Sequence, residues 1–428
     1  MLSLVIIFGL VLLIFLGLPI AISLGLTAVT TYLALDMSFL LKMLPQRMYS
    51  ATTSFTLLAI PFFILAGSLM NTGGITERIF RFAGALVGHI RGGLGQVNIV
   101  ASLIFSGMSG AAVADAVGLG QVELKAMNDK GYDPKFSAAV TAASSTIGPV
   151  FPPSIPFVIY SSITGVSAVQ LFLAGVVPGL LMALMLMLAV YFVSVARNYP
   201  KEGRASFKEI LLSAKESILP LLTPIIIIVG IMGGTFTPTE AGAIACIYAA
   251  FLGLFVYKEL TVNDLIPILW DTLRHTLRVM FVIAAAGFFG WLLIHQSIPD
   301  KLVNILISIS DSKYITLAII VFILLILGMF LEGIAIIVIA VPLFMPVINS
   351  FGIDLVQFGV IMVMTSMVGL LTPPVGMVLF AVSSASRVPI GVLSKELWPY
   401  LLGIFVVLMM VTYIPSVSTF LPKIMMGN

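Results

Sequence analysis

Ten stretches of the chain are long, apolar and almost free of charge, and this pattern constrains the fold more than any other feature. A transmembrane helix needs roughly 20 predominantly apolar residues. Only 9% of the 428 residues are charged, against about a quarter in soluble domains, so a water-soluble globule is excluded. We therefore predict an all-α, polytopic membrane protein. The stretches are Leu2–Leu35, Phe55–Met70, Leu94–Val122, Phe136–Ile163, Val169–Ala196, Ile218–Tyr257, Val279–Ile294, Ile315–Ile348, Val356–Ala385 and Val388–Tyr413.

The polar residues exclude several other classes of protein. The net charge of +3 is scattered through short connections and does not indicate nucleic-acid binding. Cys246 is the single cysteine, which excludes an internal disulfide. The sequence contains no GxxxxGK[ST] motif, the sign of an ATP-hydrolysing site. The histidines lie too far apart for a metal site. The N-terminus lacks a basic segment and a cleavage site, so we expect a retained helix rather than a signal peptide.

The distribution of basic residues indicates orientation. The main polar break, Arg197–Glu216, carries five Lys and Arg against three acids, so the positive-inside rule places it in the cytoplasm. The segment Glu77–Arg91 adds three arginines. In its later counterpart, Asp300–Lys313, two aspartates balance the basic residues. That asymmetry is expected if two related halves have opposite orientations.

An internal repeat is the most informative feature of the sequence. Gly131 precedes Pro152 by 21 positions, and Gly352 precedes Pro373 by the same 21. The interval between the copies is 221 (352 − 131), and it also pairs Gly107 with Gly328 and Gly148 with Gly369. A similar interval of 219 pairs Pro19 with Pro238. A duplicated unit explains these coincidences.

Each copy contains two interrupted apolar segments. The first is divided by glycine and small polar residues, as in SGMSGAA, and predicts a re-entrant helical hairpin. The second is broken by consecutive prolines, in GPVFPPS and in LLTPPVG, and predicts two half-helices joined by exposed backbone. Irregular backbone at membrane depth is tolerated only where it is buried in protein or lines a cavity. Paired breaks of this kind indicate a secondary transporter.

These segments give a predicted division of the chain. Residues 1–50 form an N-terminal scaffold helix and an amphipathic connection, 51–196 form repeat 1, 197–216 a cytoplasmic linker, 217–278 scaffold helices and a connecting arm, and 279–428 repeat 2. Hairpin 1 lies near 92–127 and its broken helix near 134–163; hairpin 2 lies near 314–348 and its broken helix near 355–385.

Oxygen ligands around the breaks suit a hard cation such as Na⁺, while the N-termini of half-helices attract anions. We predict a first Na⁺ site at Ser106, Gly107, Ser109, Gly148, Phe151 (through its carbonyl) and Ser154. A second is predicted at Gly328, Gly333, Gly369, Thr372, Val375 and Gly376.

Ionisable residues at membrane depth are candidates for substrate binding or coupling. Asp115 falls in the second arm of hairpin 1 and Glu332 at the tip of hairpin 2, and Ser109 and Ser154 join them as substrate or coupling candidates. Arg387 lies 13 residues after Pro374, about 20 Å of helix, so it is first an interface anchor and second a carboxylate ligand. Glu240 is predicted to complete a capping box with Thr237.

The sequence resembles the large membrane subunit, M or DctM type, of tripartite ATP-independent periplasmic (TRAP) transporters. The resemblance runs from Leu2 to about Tyr413 and is carried by IPFFILAGSLMNTGGIT, SGMSGAAVAD, GYDPKFSAAVTAASSTIGPVFPPS, GGTFTPTEAGAIACIYA and GLLTPPVG. Arg387 departs from the small residue expected there.

The resemblance implies a multi-pass protein of the bacterial inner membrane that imports an organic acid, a carboxylate such as sialic acid or a C4-dicarboxylate, with Na⁺. It further implies two protein partners, a small membrane subunit (Q type) and a periplasmic substrate-binding protein (P type). It also implies an elevator mechanism, in which the hairpins and broken helices move past a fixed scaffold, as in the ion-transporter superfamily.

Two alternatives remain open at this stage. One is a stand-alone Na⁺/dicarboxylate elevator, which would need no binding protein. The other is an intramembrane serine protease built on the Gly-x-Ser-Gly string at Ser109, with His295 as the base. We expect that the protein is not an enzyme.

Overall fold

The computed structural model describes residues 2–199, 203 and 205–427, with the side chains of 2–4, 106–109 and 207 outside that description. Throughout this part of the chain the regular structure is helical, and it contains no β-strand. The α-helices of the first half are α1 (Leu2–Phe15), α2 (Ile20–Ala34), α3 (Leu44–Thr52), α4 (Ala59–Thr72), α5 (Ile75–Val87), α6 (Gly93–Ser109), α7 (Ala112–Val117), α8 (Leu119–Asp129), α9 (Pro134–Ser144), α10 (Ile155–Thr164) and α11 (Ala168–Ala196).

Those of the second half are α12 (Phe207–Met232), α13 (Pro238–Phe251), α14 (Val262–His295), α15 (Ile298–Ile309), α16 (Lys313–Gly328), α17 (Gly333–Ser350), α18 (Leu355–Leu370), α19 (Met377–Ser386), α20 (Ile390–Glu396), α21 (Trp398–Tyr413) and α22 (Ser416–Met426). Short 3₁₀ turns occur at Ser38–Met43, Phe55–Leu58 and Ser145–Ile147, and a π-helical turn at Leu252–Val256.

Both proline pairs interrupt helices, as the sequence predicts. In the first copy α9 and a 3₁₀ turn end before Gly148, and α10 begins at Ile155. In the second copy α18 ends at Leu370, and α19 begins at Met377. The Pro152–Pro153 and Pro373–Pro374 peptide bonds are both cis. Irregular backbone therefore lies at matching positions in the two copies.

The two predicted hairpins also have helical arms. In hairpin 1, α6 turns at Gly110 into α7 and α8, and the second arm contains a further break at Gly118. In hairpin 2, α16 turns into α17 without such a break.

Polar side chains set where several helices begin. Asp133 caps α9 by accepting a hydrogen bond from the backbone N–H of Lys135 (3.0 Å). Asp354, at the matching position of the second copy, caps α18 in the same way. Glu240 forms the predicted capping box with Thr237, with its carboxylate 2.8 Å from the Thr237 backbone nitrogen. Such caps stabilise a helix by about 1 kcal/mol.

The two copies pack against each other reciprocally. Helix α4 packs on α13. The repeat pairs α4 with the later half of α14 and α2 with α13, and α14 in turn packs on α2. Helix α10 packs on α17 of hairpin 2, and α19 packs on α7 of hairpin 1. The second half-helix of each copy therefore lies against the other copy's hairpin, which brings both breaks into one core.

Six helices of the described chain are long and apolar enough to cross a membrane, and eight segments qualify if each sharply bent helix pair is one span. The half-helices and several hairpin arms are shorter than the roughly 20 residues that a span needs. By length and composition, the described chain therefore has the helices of a multi-pass membrane protein.

Three predicted divisions fall inside helices. The division at 50/51 lies within α3, and the division at 278/279 lies within α14, which runs unbroken for 34 residues. No glycine or proline stands at 278/279 to end a helix, although the composition changes there. The predicted linker 197–216 extends into α12, whose capping box begins at Ser206, and its residues 200–202 and 204 lie outside the described part.

Candidate functional site

The predicted first Na⁺ site lies where hairpin 1 meets the break between α9 and α10. Asp115 is buried, with 3% of its surface exposed, and its carboxylate occupies the space where a Cβ on Gly148 would stand. Two residues that the sequence selected for separate reasons are therefore in contact. Only glycine at position 148 leaves room for this carboxylate beside the break.

The tip of hairpin 1 touches the residues after the proline pair. Gly110 has a positive φ of 60°, and a Cβ there would lie 3.0 Å from the Pro153 carbonyl oxygen and 2.9 Å from the Ile155 nitrogen. This approach places the turn of the hairpin against the N-terminus of α10. A side chain at Gly110 would separate the two.

Ser154 has a structural role at this break. Its hydroxyl donates to the Pro149 carbonyl (2.5 Å) and accepts from the backbone N–H of Phe157 (3.3 Å), so it caps α10 and closes the turn. Phe151 packs its side chain against Gly179 of α11. For Ser106, Gly107 and Ser109 the helix backbone is described, but the side-chain positions at 106–109 are not, so these predicted ligands lie outside the described residues.

Two residues of the predicted second Na⁺ site, Gly328 and Gly369, lie where two helix backbones are in direct contact. A Cβ on Gly328, at the end of α16, would lie 2.9 Å from the Gly369 Cα, and a Cβ on Gly369 would overlap the Gly328 backbone. Hairpin 2 and α18 therefore touch through glycines that the repeat pairs with Gly107 and Gly148.

Carbonyl groups of the second break lie close to the hairpin tip. The Gly376 N–H donates to the Met329 carbonyl in the tip (3.0 Å). A Cβ on Gly376 would lie 3.0 Å from the Leu370 carbonyl oxygen and 3.1 Å from that of Thr372. The Thr372 hydroxyl donates back to Val368 (2.7 Å). Val375 lies in this turn, next to Gly376.

Gly333 lies apart from the carbonyl groups of the second break. A Cβ there would meet side chains of α18, 3.3 Å from the Met367 Cε and 3.5 Å from the Ser366 Cβ. It therefore allows close packing of α17 on α18 rather than exposing a carbonyl at the break.

The remaining two charged candidates occupy helix ends. Glu332 precedes α17 at the tip of hairpin 2, but its side chain makes no capping hydrogen bond to that helix. Arg387 is exposed and ends α19 in a left-handed conformation with φ 58°. Gly165 ends α10 in the same conformation. Arg387 thus stands at a turn where the first copy has glycine, and the chain bends by 111° between α19 and α20.

Sequence reasoning missed a buried polar network beside the first break. Glu123 on α8 is 1% exposed and accepts a hydrogen bond from Ser102 on α6 (3.3 Å). Asn98 on α6 donates to Thr141 (2.8 Å) and accepts from Ser144 (2.6 Å), both on α9. Asn98 and Ser102 are four residues apart and share one face of α6, a spacing that could have indicated the network.

In each copy, three features lie together: a hairpin turn, the carbonyl groups of a non-helical backbone segment, and the N-terminus of a half-helix. Carbonyl oxygens can ligate a hard cation, and the half-helix N-terminus favours a negative charge. The described residues contain no group of three or more His, Cys, Asp or Glu side chains arranged to hold a metal ion. Any cation here would therefore depend mainly on backbone oxygens.

Comparison with known proteins identifies the family. Residues 7–417 match the family described as tripartite ATP-independent periplasmic transporter, DctM component. The chain belongs to the DctM family. It is 45% identical over 98% of both chains to the protein named sialic acid TRAP transporter large permease SiaM from Vibrio cholerae. It is 39% identical over 94% of both chains to the C4-dicarboxylate TRAP transporter large permease DctM from Pseudomonas aeruginosa.

These relatives are named as permeases, so this member of the DctM family is a transporter subunit and not an enzyme. The protease alternative is thereby set aside. Two solved structures share the fold. The Alcanivorax borkumensis YdaH transporter superposes with a TM-score of 0.64 at 16% identity, covering 100% of this chain and 98% of that one. Neisseria gonorrhoeae MtrF gives 0.62 at 14%, covering 89% and 85%.

Proposed function

We propose that this DctM-family subunit imports an organic acid, coupled to Na⁺, after a periplasmic binding protein delivers the substrate and with a small membrane subunit beside it. The observation that carries the proposal is that the paired glycines of the two breaks each contact a hairpin: Gly148 lies against Asp115, and Gly369 lies against Gly328. One hairpin–break contact in each copy suits a transporter that couples substrate to more than one ion.

The substrate class follows from the half-helices and the relatives. The N-termini of α10 and α19 adjoin the hairpins, so a carboxylate is the favoured ligand. The relative that is 45% identical is named for sialic acid, and the one that is 39% identical for C4-dicarboxylates. Sialic acid is therefore the first substrate to test and a C4-dicarboxylate the second.

The mechanism follows from the same contacts. Na⁺ at the two breaks orders the hairpin turns against the half-helices and completes the anion site between them. The hairpins and broken helices then move together past the scaffold formed by helices such as α4, α13 and α14. Substrate is released to the cytoplasm when that block has crossed.

The test is uptake into proteoliposomes that contain the chain and its small subunit, with the binding protein outside. Uptake of sialic acid or succinate should require an inward Na⁺ gradient and the binding protein. Omitting either partner should abolish it. Full-rate uptake by the chain alone would overturn the tripartite proposal in favour of a stand-alone symporter, and uptake independent of Na⁺ would overturn the coupling.

A further inference from the structure

Helix α14 is longer than a membrane span requires, and its first half has an unusual surface. At 1.5 Å per residue its 34 residues extend about 51 Å, against a hydrocarbon core of about 30 Å. The apolar half begins at Val279. Residues 262–278, here called the arm, therefore extend beyond the core or lie obliquely at its edge.

The arm has three faces. Ile268 and Thr272 are buried against the protein. A second face is apolar yet exposed, and Trp270 on it is 57% exposed. It consists of Val262, Ile266, Leu269, Trp270, Leu273 and Leu277. The third face is polar and exposed, and it carries Asp271, Arg274, His275 and Arg278. Exposed apolar and charged faces side by side are typical of a helix in the membrane interface.

The charges on the arm are sorted along its length. Arg274, His275 and Arg278 lie next to the apolar half of α14, whereas Asp264 and Asp271 lie further toward its N-terminus. Arg274 is 3.8 Å from Asp271 and lies 5.9 Å from the Trp270 ring. Arg278 has no ion-pair partner among the residues that the structure describes. The basic groups therefore adjoin the start of the apolar half of α14, where a spanning helix leaves the hydrocarbon core.

Two ion pairs indicate which side of the membrane the arm faces. Arg81 pairs with Glu216 at the end of the basic linker (2.8 Å), and Arg78 pairs with Glu259, just before the arm (2.8 Å). The linker, α5 and the start of the arm therefore lie on one side. Because that linker is the most basic connection of the chain, the side is the cytoplasmic one, whose leaflet is rich in anionic lipids.

We propose that the arm is a lipid-binding surface, on which Arg274 and Arg278 bind the phosphates of anionic phospholipids in the cytoplasmic leaflet while the apolar face lies among their acyl chains. The matched charge and depth favour lipid over a protein partner. Binding there would anchor the scaffold while the hairpins move.

Position in the bilayer is tested with Trp270. In a chain carrying Trp291→Phe and Trp398→Phe, Trp270 is the remaining tryptophan, and brominated lipids quench a tryptophan that they touch. We expect quenching in proteoliposomes both with and without the small membrane subunit. Quenching that disappears when the subunit is added would assign the face to a protein interface and overturn the proposal, as would no quenching in either sample.

Headgroup recognition is tested by charge removal. Each arginine near an anionic surface contributes about 1 kcal/mol, about fivefold, so Arg274→Gln with Arg278→Gln should weaken phosphatidylglycerol binding about 25-fold. The readout is thermal stabilisation of the complete complex by phosphatidylglycerol, compared with phosphatidylcholine. Lys125→Gln with Lys423→Gln removes equal charge from exposed positions elsewhere. An equal loss in both pairs, or no loss in the first, would overturn the assignment.

Discussion

The absence of a side chain is what defines the candidate ion sites at the scale of single residues. At Gly148 the missing Cβ leaves room for the Asp115 carboxylate, and at Gly369 it lets the α18 backbone touch Gly328. By contrast Gly84, on the amphipathic helix α5, has open space around its Cα. Glycines in this chain therefore differ sharply in what an added methyl group would do.

Gly148→Ala should weaken Na⁺ activation of transport, because the new Cβ displaces the Asp115 carboxylate from the break. Disturbing groups that orient a metal site typically lowers ion affinity about 10- to 100-fold. The Na⁺ concentration for half-maximal uptake in proteoliposomes measures the effect. Gly84→Ala is the matched control and should leave it unchanged; an unchanged value in Gly148→Ala as well would remove Gly148 from the site.

The sequence predicted these glycines because the interval of 221 residues repeats them in pairs. It could not predict that Asp115 lies against Gly148, since the residues are on different elements and the second copy has Ile336 where the first has Asp115. Comparison of the two copies singles out only residues that both copies share, and this carboxylate occurs in one copy alone. The contact depends on tertiary packing of the hairpin.

At the scale of elements, buried amides hold the helices that lead into the two breaks against neighbouring helices. Asn98 connects hairpin 1 to α9 through Thr141 and Ser144, shortly before Gly148. Gln357 connects α18 to α21 by donating to the Val411 carbonyl (2.9 Å) and that of Thr412 (3.1 Å), well before Gly369. Both side chains are buried. They make a natural pair for separating stability from ion binding.

Asn98→Leu keeps the side-chain volume but leaves buried hydroxyl groups without their partner, which should destabilise the protein by about 2 kcal/mol. Gln357→Met should cost a similar amount. Thermal unfolding of the purified complex measures both. Asn98→Leu should weaken the stabilisation by Na⁺ more than Gln357→Met does, because Asn98 holds α9 at Ser144, four residues before Gly148 (148 − 144), whereas Gln357 lies twelve residues before Gly369 (369 − 357). Equal changes in Na⁺ response would mean that Asn98 acts through stability alone.

Element boundaries show where sequence patterns fail. The proline pairs predicted the breaks, and the capping box of Thr237 and Glu240 predicted the start of α13, because those residues act locally. The break at Gly118 was missed because one glycine among small residues does not specify a helix end. The sequence placed a division at 278/279 because the residues change there from polar to apolar. The helix α14 continues through that position because a change of composition does not break the backbone.

At the scale of the whole molecule, the reciprocal packing of the two copies suggests two groups of helices. The hairpins and broken helices contact one another across the copies, while α13 and α14 both pack on α4. Where the groups meet, Gly118 of hairpin 1 lies beside Asn71 of α4. The repeat predicted the pairing of elements, but only the packing shows which elements share a core.

If the first group moves past the second during transport, a bond between Gly118 and Asn71 should stop it. A Cβ at Gly118 would lie 3.4 Å from the Asn71 Nδ2 and 3.9 Å from its Cγ, so the side chains of Gly118→Cys and Asn71→Cys would be in contact, and we expect oxidation to join them in a Cys246→Ala chain. We expect oxidation to reduce uptake to background and a reductant to restore it. The control is Gly403→Cys with Met185→Cys, where the two Cβ atoms would lie 3.4 Å apart. This pair joins α21 to α11, and both helices pack on the proposed moving group. Its oxidation should leave uptake intact. Full uptake by the oxidised Gly118–Asn71 pair, once cross-linking is verified, would mean that hairpin 1 stays beside α4 throughout the cycle, and the elevator proposal would fail.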